Sequence, residues 1–198
     1  MHLLKNRSIR FYLGFVLILT MVIGGSAIAA FADSSTANVA VNAGSLSETG
    51  PASVTATAVT LNGTNLTSTY TLGIAVSDDT GTGTGWNLTI TSTQFSTGGS
   101  CGAGHTLPSG SSTSTITGVA SAVNGAGTYT NPGNNISNTA LGVPAACPAP
   151  TAVKFFNATA NTGMGHFTIS PTVSVAIPAN SYAGTYSSTV ILGVVSGP

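Results

Sequence analysis

Period-two alternation of apolar and polar residues is the feature that most limits how this chain folds. Its clearest instance runs over residues 167–177, where apolar side chains alternate with Thr, Ser and Ala. Similar alternation occurs over 70–76, 86–90 and 186–194. An extended run with this period presents one apolar face, which is typical of a strand in a sheet with one face buried. The pattern therefore predicts a chain built from β-strands.

Pro171 interrupts the longest of these runs. Proline has no N–H to donate to a sheet ladder, so the run 167–177 is expected to lie at a sheet edge or to bend there. Weaker strand candidates are 54–61, 115–119 and 153–156. Outside the N-terminal leader there is no convincing helical period, and the abundant Thr and Val favour strands. Many short strands between turns predict an all-β, antiparallel β-sandwich of jelly-roll or Ig-like type.

The N-terminus has the organisation of a signal peptide. Basic residues within 5–10 precede an apolar run at 11–23, and Ala-Phe-Ala at 30–32 has the small-x-small form of a cleavage site. We therefore predict a signal peptide over 1–32 and a single mature domain over 33–198. An uncleaved membrane anchor is the alternative, because the uncharged stretch is long enough to span a bilayer.

Charged residues make up only 4% of the chain, against about 25% in typical soluble domains. Removal of the leader leaves Lys154 as the one basic residue against four acidic residues. Binding to nucleic acid or to anionic lipid headgroups needs many Lys and Arg, so the mature chain is expected to bind neither nucleic acid nor membrane. Hydrophobic residues reach 42%, which favours a folded domain over a disordered one. A surface with so little charge suits an immobilised or assembled protein.

Cys101 and Cys147 are expected to form a disulfide, the default for two cysteines in an exported protein. The bond would close a loop of about 47 residues and contribute roughly 4 kcal/mol in the chain-entropy description. The segment 96–150 is rich in Gly, Ser, Asn and Pro, and we interpret it as a long excursion between strands that this disulfide pins. His105 and His166 do not complete a zinc-like ligand spacing, so no metal or cofactor is predicted.

The chain offers little for catalysis. After removal of the leader only two histidines and four acidic residues remain to serve as a general base or to orient one, although a Ser-His-Asp arrangement through His105 or His166 remains an alternative. Asp78 and Asp79 are adjacent and would face opposite ways on a strand, unlike the paired carboxylates of a glycosidase. The acids of a calcium loop are also missing around them. We therefore predict that the protein is not an enzyme.

Two segments resemble the WxL domain family of bacterial surface proteins. Asp79-Thr80-Gly81 leading into Gly85-Trp86-Asn87-Leu88 looks like the family's first motif. The run Tyr182-Ala183-Gly184-Thr185-Tyr186 through Leu192 resembles its closing segment, and the resemblance covers roughly 44–198. One departure is that Leu192-Gly193-Val194 stands where the family has a second Trp-x-Leu.

The resemblance implies an exported β-sandwich at the cell surface that attaches non-covalently to the cell wall. Peptidoglycan or another wall polymer is the implied ligand, and Trp86, Leu88, Asp79 and Tyr186 are the implied ligand-binding candidates. The phase of Trp86 with Leu88 and Ile90 also fits a buried strand face. For the indole we favour this structural role.

A second resemblance concerns residues 24–33 and 43–46, which are similar to the start of camelysin/TasA-type matrix proteins. Those proteins polymerise when one copy lends a strand to the next, a form of β-augmentation. The alternative function is therefore that of a self-assembling extracellular matrix or fibre subunit. Partners under either hypothesis include other surface proteins or further copies of the chain.

Overall fold

The computed structural model describes residues 34–198, and the predicted signal peptide at 1–32 lies outside the described residues. The chain divides into two compact units, Met1–Ala40 and Val41–Pro198. Within the first unit, residues 34–40 are exposed and have no regular secondary structure. All the strands described below belong to the second unit.

The second unit is all-β, as predicted, and residues 34–198 contain no helix. Its strands are β1 (Leu46–Thr49), β2 (Leu66–Thr71), β3 (Ile74–Asp78), β4 (Trp86–Thr93), β5 (Ser114–Val123), β6 (Leu141–Gly142), β7 (Ala145–Ala146), β8 (Val153–Ala158), β9 (Gly165–Ile177) and β10 (Val190–Ser196). They form two packed sheets, so the predicted sandwich is confirmed.

The first sheet is built around β9. Its order is β1-β3-β9-β5-β6, and β2 also pairs with β9. The strands β2 and β3 pair with successive halves of the same edge of β9. The register is continuous between them, with Thr71 opposite Thr172 and Ile74 opposite Ile169. The predicted alternation is confirmed here, because Ile169 and its neighbours of the same phase are buried while the intervening residues are half-buried.

Pro171 does not lie at a sheet edge, because β9 is a central strand between β3 and β5. The Leu72 N–H donates to the Pro171 C=O at 3.1 Å, but Pro171 has no N–H to return to Leu72. The missing donor therefore faces the gap between β2 and β3. On the other side, β5 has a bulge between Ile116 and Gly118. The ladders on both sides of β9 are therefore irregular near Pro171.

The second sheet is built around β4. On one side β4 pairs with β10, and on the other it pairs with β8 and then with the short β7. The β4–β7 pair is parallel, whereas every other named pair in the domain is antiparallel. The core between the sheets consists mainly of large apolar side chains, including Ile74, Val76, Trp86, Leu88, Ile90, Ile116, Phe155, Phe167, Ile169 and Val173.

One predicted strand is absent, one begins later than predicted, and the predicted disulfide is confirmed. The candidate strand 54–61 is wrong: this segment is mostly exposed and forms no strand, although the Thr57 N–H donates to the Thr69 C=O. The closing strand begins at Val190 rather than at residue 186. The predicted disulfide between Cys101 and Cys147 is present, with Cα atoms 5.5 Å apart.

Candidate functional site: a groove at the start of β4

The Thr-Gly repeat between β3 and β4 forms a loop that only glycine allows. Gly81, Gly83 and Gly85 have φ values of 66°, 65° and 76°, in the left-handed region that side chains disfavour. A Cβ on Gly85 would also collide with the Ala158 carbonyl oxygen. The glycines therefore let the loop turn closely over the end of β8 and deliver the chain into β4.

The threonines of the same repeat form a row of hydroxyl groups. Asp78 is buried, and its Oδ1 accepts hydrogen bonds from the N–H and the hydroxyl of Thr80, at 3.2 and 2.7 Å. From Thr80 the row continues through Thr82 and Thr84, with neighbouring oxygens 3.0 and 3.1 Å apart, to Ser196 at 3.2 Å. Asp78 thus fixes the start of a polar surface that can both donate and accept hydrogen bonds.

Trp86 supports this region from inside the core. The indole is 0% exposed and packs on Phe156 with ring centroids 5.7 Å apart. Its Nε1–H donates to the Gly163 carbonyl oxygen at 2.8 Å. Gly163 belongs to the turn that leads into β9, so the indole joins that turn to the first residue of β4. A buried indole N–H needs such a partner.

A half-buried aromatic ring lies beside this turn. The Tyr129 ring contacts Gly165, where any Cβ would collide with it, and meets Phe167 edge-on at a centroid distance of 5.9 Å. Its hydroxyl donates to the Ala126 carbonyl oxygen at 3.1 Å. The ring is therefore held by the start of β9 and by its own loop.

An ion-pair geometry completes the site. His166 Nε2 lies 3.1 and 3.2 Å from the two carboxylate oxygens of Asp79, and both side chains are about half exposed, at 48% and 49%. The backbone of Asp79 is fixed as well, because its N–H donates to the Ser45 C=O and its C=O accepts from the Gly44 N–H. A Cβ on Gly44 would lie 2.7 Å from the Asp79 Cβ, so this contact requires glycine.

Some of these residues line an open groove of about 320 Å³, which we call the Tyr129 groove. Its walls are Asp78, Asp79, Gly81, Thr128, Tyr129, Thr130, Met164 and Gly165. An aromatic face, a carboxylate and several hydroxyls thus converge on one concave surface. Most binding sites combine apolar surface with a few placed polar groups in this way.

The four residues predicted to bind ligand do not come together. Trp86 and Leu88 are 0% and 1% exposed, so both belong to the core and neither offers surface to a ligand in this conformation. Asp79 lies in the Tyr129 groove. Tyr186 lies beyond the far end of β4, where Ser187 pairs with Ser96. With eight residues in β4, that end is roughly 25 Å from the groove.

A different aromatic surface occupies the far end. His105 and Tyr182 stack with ring centroids 3.6 Å apart, and Tyr182 is 62% exposed. The Tyr186 hydroxyl donates to the Tyr182 carbonyl oxygen at 2.9 Å. The ligand role of Tyr186 stays a prediction, and any such role would belong to this second surface.

Sequence reasoning missed the groove's aromatic residue. Tyr129 lies in the segment interpreted as an excursion, and the sequence indicated no role for His166 beyond the alternative Ser-His-Asp arrangement. The sequence does contain a signal for this residue, because no other Phe, Trp or Tyr occurs within 96–150. The same segment also supplies β5, a full strand of ten residues.

Residues 34–198 hold neither a cluster of metal ligands nor a membrane-spanning helix. In that part of the chain, three or more His, Cys, Asp or Glu side chains nowhere gather as a metal site would require. It likewise contains no helix with the length and apolar character to cross a membrane.

The fold and the loop together define a class: a β-sandwich in which a strand at the centre of one sheet begins with a buried Trp-x-Leu. The family model described as "WxL domain surface cell wall-binding" matches residues 33–192. The chain belongs to the WxL domain family. It is accordingly a secreted, cell-wall-associated protein with a cell wall-binding domain. Neither the curated proteins nor the solved structures yield a match.

Proposed function

We propose that the protein, once exported, attaches non-covalently to peptidoglycan and that the Tyr129 groove contacts the glycan. The observation that carries this proposal is the convergence of the Tyr129 ring and the Asp79 carboxylate on one concave surface. Thr128 and Thr130 also line this surface, and the Thr80–Thr84 hydroxyl row belongs to the adjoining loop, which lines the groove at Gly81. The wall-binding description of the family makes a wall polymer the expected partner.

The groove's chemistry suits a polyhydroxyl polymer. A sugar ring has an apolar face of C–H groups that can pack on an aromatic ring, while its hydroxyl and N-acetyl groups need hydrogen-bond partners. Tyr129 supplies the aromatic face. The Asp79 carboxylate has lone pairs beyond those directed at His166, and hydrogen bonds to a charged acceptor are stronger than neutral ones. The threonine hydroxyls can serve as donors or acceptors along the polymer.

In this proposal, the Trp-x-Leu motif acts indirectly. Trp86 fixes the turn at Gly163 through its N–H, and that turn precedes the groove residues Met164 and Gly165. Leu192, which stands where the family has its second tryptophan, lies opposite Ile90 and packs against the core. Leucine preserves an apolar contact at this position, which supports retention of the fold without the second tryptophan.

The test is a pull-down of the secreted protein on purified peptidoglycan. Tyr129→Ala and Asp79→Asn should each reduce binding about 10-fold, equivalent to roughly 1.4 kcal/mol for one well-placed contact. Tyr182→Ala is the matched control, because it removes an exposed tyrosine at the opposite end of β4. Thermal melting of each variant separates a lost contact from a lost fold.

Asp79→Asn is the more stringent variant, since it changes charge while leaving shape nearly unchanged. Full binding by both Tyr129→Ala and Asp79→Asn, with binding lost in Tyr182→Ala, would place the wall contact at the other end of the sandwich.

A further inference from the structure

The edge strand β10 is long, apolar and unprotected. Among residues 34–198 its main chain pairs only with β4, and its other edge makes no backbone hydrogen bond, although the end of β1 lies close by, with Gly50 against Leu192. Its seven residues, Val-Ile-Leu-Gly-Val-Val-Ser, include no charge and no proline. Ile191 and Val195 are 46% and 53% exposed on its outer face. Soluble proteins usually protect such edges, because an unpaired strand is a template for pairing with another chain.

The other edges of the two sheets are shorter, charged, irregular or covered. Along the outer edge of β2 runs the segment 54–61, whose Thr57 N–H donates to the Thr69 C=O. β1 is only four residues long and includes Glu48, and β6 and β7 have two residues each. β8 includes Lys154, and the Asn134 side chain accepts a hydrogen bond from the Asn157 N–H on its outer edge at 3.1 Å. Where β5 extends beyond β6, it begins with a bulge and consists largely of Gly, Ala and Ser. These features are the usual means of blocking edge pairing.

The hydrogen bonds at the two ends of the β4–β10 ladder show which main-chain N–H and C=O groups of β10 point away from β4. The Thr93 N–H donates to the Thr189 C=O, and the Gly197 N–H donates to the Gly85 C=O, each at 2.9 Å. The register between β4 and β10 has no shift, so the odd-numbered residues of β10 face β4. The free N–H and C=O groups are therefore those of the even-numbered residues, Val190, Leu192, Val194 and Ser196.

This alternation makes β10 complementary to itself. We infer that β10 pairs antiparallel with β10 of a second copy of this chain, about a twofold axis through Gly193. In that register Leu192 meets Val194 of the other copy and Val190 meets Ser196, which forms about eight main-chain hydrogen bonds. Ile191 meets Val195 across the axis, and both exposed side chains are then covered by a β-branched partner.

The register fits the residues that the strand contains. Gly193 meets its own counterpart on the axis, where the closest approach of the two strands occurs and a side chain would be opposed by its copy. The absence of charge along β10 removes like-charge repulsion between the copies. A twofold interface closes on itself, so the product is a dimer with one continuous sheet rather than an open fibre.

Engineered cysteines test the register directly. Ile191 and Val195 of opposite copies form a non-hydrogen-bonded pair with Cα atoms about 4.5 Å apart, which lies within disulfide range. Two Ile191 residues are offset by about 13 Å along the strand, as are two Val195 residues. An equal mixture of Ile191→Cys and Val195→Cys secreted chains should therefore give linked dimers from about half of the molecules under mild oxidation. Each variant alone should give almost none.

Val194→Pro tests the pairing without cysteines. It removes an outward N–H and leaves the ladder to β4 intact, which is where an edge strand tolerates proline. The unaltered secreted chain should sediment as a dimer at high micromolar concentration and Val194→Pro as a monomer with unchanged circular dichroism. A monomeric unaltered chain, filaments in place of dimers, or equal cross-linking in the single variants would each overturn the inference.

Discussion

The replacement Trp86→Phe separates a structural role of the indole from a ligand-binding one. The phenyl ring keeps most of the core contact with Phe156 but cannot donate to the Gly163 carbonyl oxygen, which now receives a bond of 2.8 Å. Leaving that buried acceptor without its donor costs about 1–3 kcal/mol. The smaller ring also leaves a cavity worth about 1 kcal/mol. We expect the free energy of unfolding to fall by about 3 kcal/mol in total.

For a domain of this size such a loss lowers the melting temperature by roughly 6–12 °C. Circular dichroism melting measures that change, and a peptidoglycan pull-down well below the melting temperature measures binding on the same preparation. Because the indole is 0% exposed, binding per folded molecule should change less than about 3-fold, equivalent to roughly 0.7 kcal/mol. An unchanged melting temperature together with lost wall binding would refute the structural assignment of Trp86.

Three further predictions follow from single contacts. Burial raises the pKa of Tyr70 to about 12, so the free energy of unfolding should fall by about 2 kcal/mol between pH 10 and pH 12, where Tyr70 ionises mainly in the unfolded chain. Denaturant titrations at several pH values should show a clearly smaller fall in the free energy of unfolding with pH for Tyr70→Phe. Replacing both Cys101 and Cys147 by Ala opens a loop with a sequence separation of 46 and should cost about 4 kcal/mol, measured by urea unfolding against the oxidised protein. Gly85→Ala should cost at least about 2 kcal/mol in a thermal melt, because of its positive φ and the Ala158 carbonyl. Gly73→Ala, which meets open space, is its control and should change stability by less than about 1 kcal/mol.

The sequence predicted the strands that have one apolar face, because their alternation is a local property. β4 is more buried than its pattern predicts. Asn87 and Thr91 are buried as well as the apolar residues, because other parts of the chain cover the second face of the strand. The Asn87 side chain donates to the Gly197 carbonyl oxygen. The Thr91 hydroxyl donates to the Pro150 carbonyl oxygen at 2.9 Å and lies 3.2 Å from that of Pro144. Partners so distant in sequence cannot be found from a local pattern.

The groove was predictable only in part for the same reason. The turn chemistry around Asp79 is visible in the sequence, and the opposite orientations of Asp78 and Asp79 follow from strand geometry. The approach of Tyr129 and His166 to that turn depends on the pairing of β3 with β9 and on the path of the chain after β5. Of the two alternatives predicted for Pro171, a sheet edge or a bend, the sheet edge is wrong, because a gap between β2 and β3 accommodates its missing donor within a central strand.

The location of the wall contact is the central claim, and amide chemical-shift mapping tests it most directly. The ¹⁵N-labelled secreted chain would be titrated with soluble glycan fragments of peptidoglycan. We predict saturable shifts at 79–83, 128–130 and 164–166, with residues 97–105 and 182–187 unchanged. Shifts confined to 97–105 and 182–187 would contradict this account and assign wall binding to the surface around His105 and Tyr182.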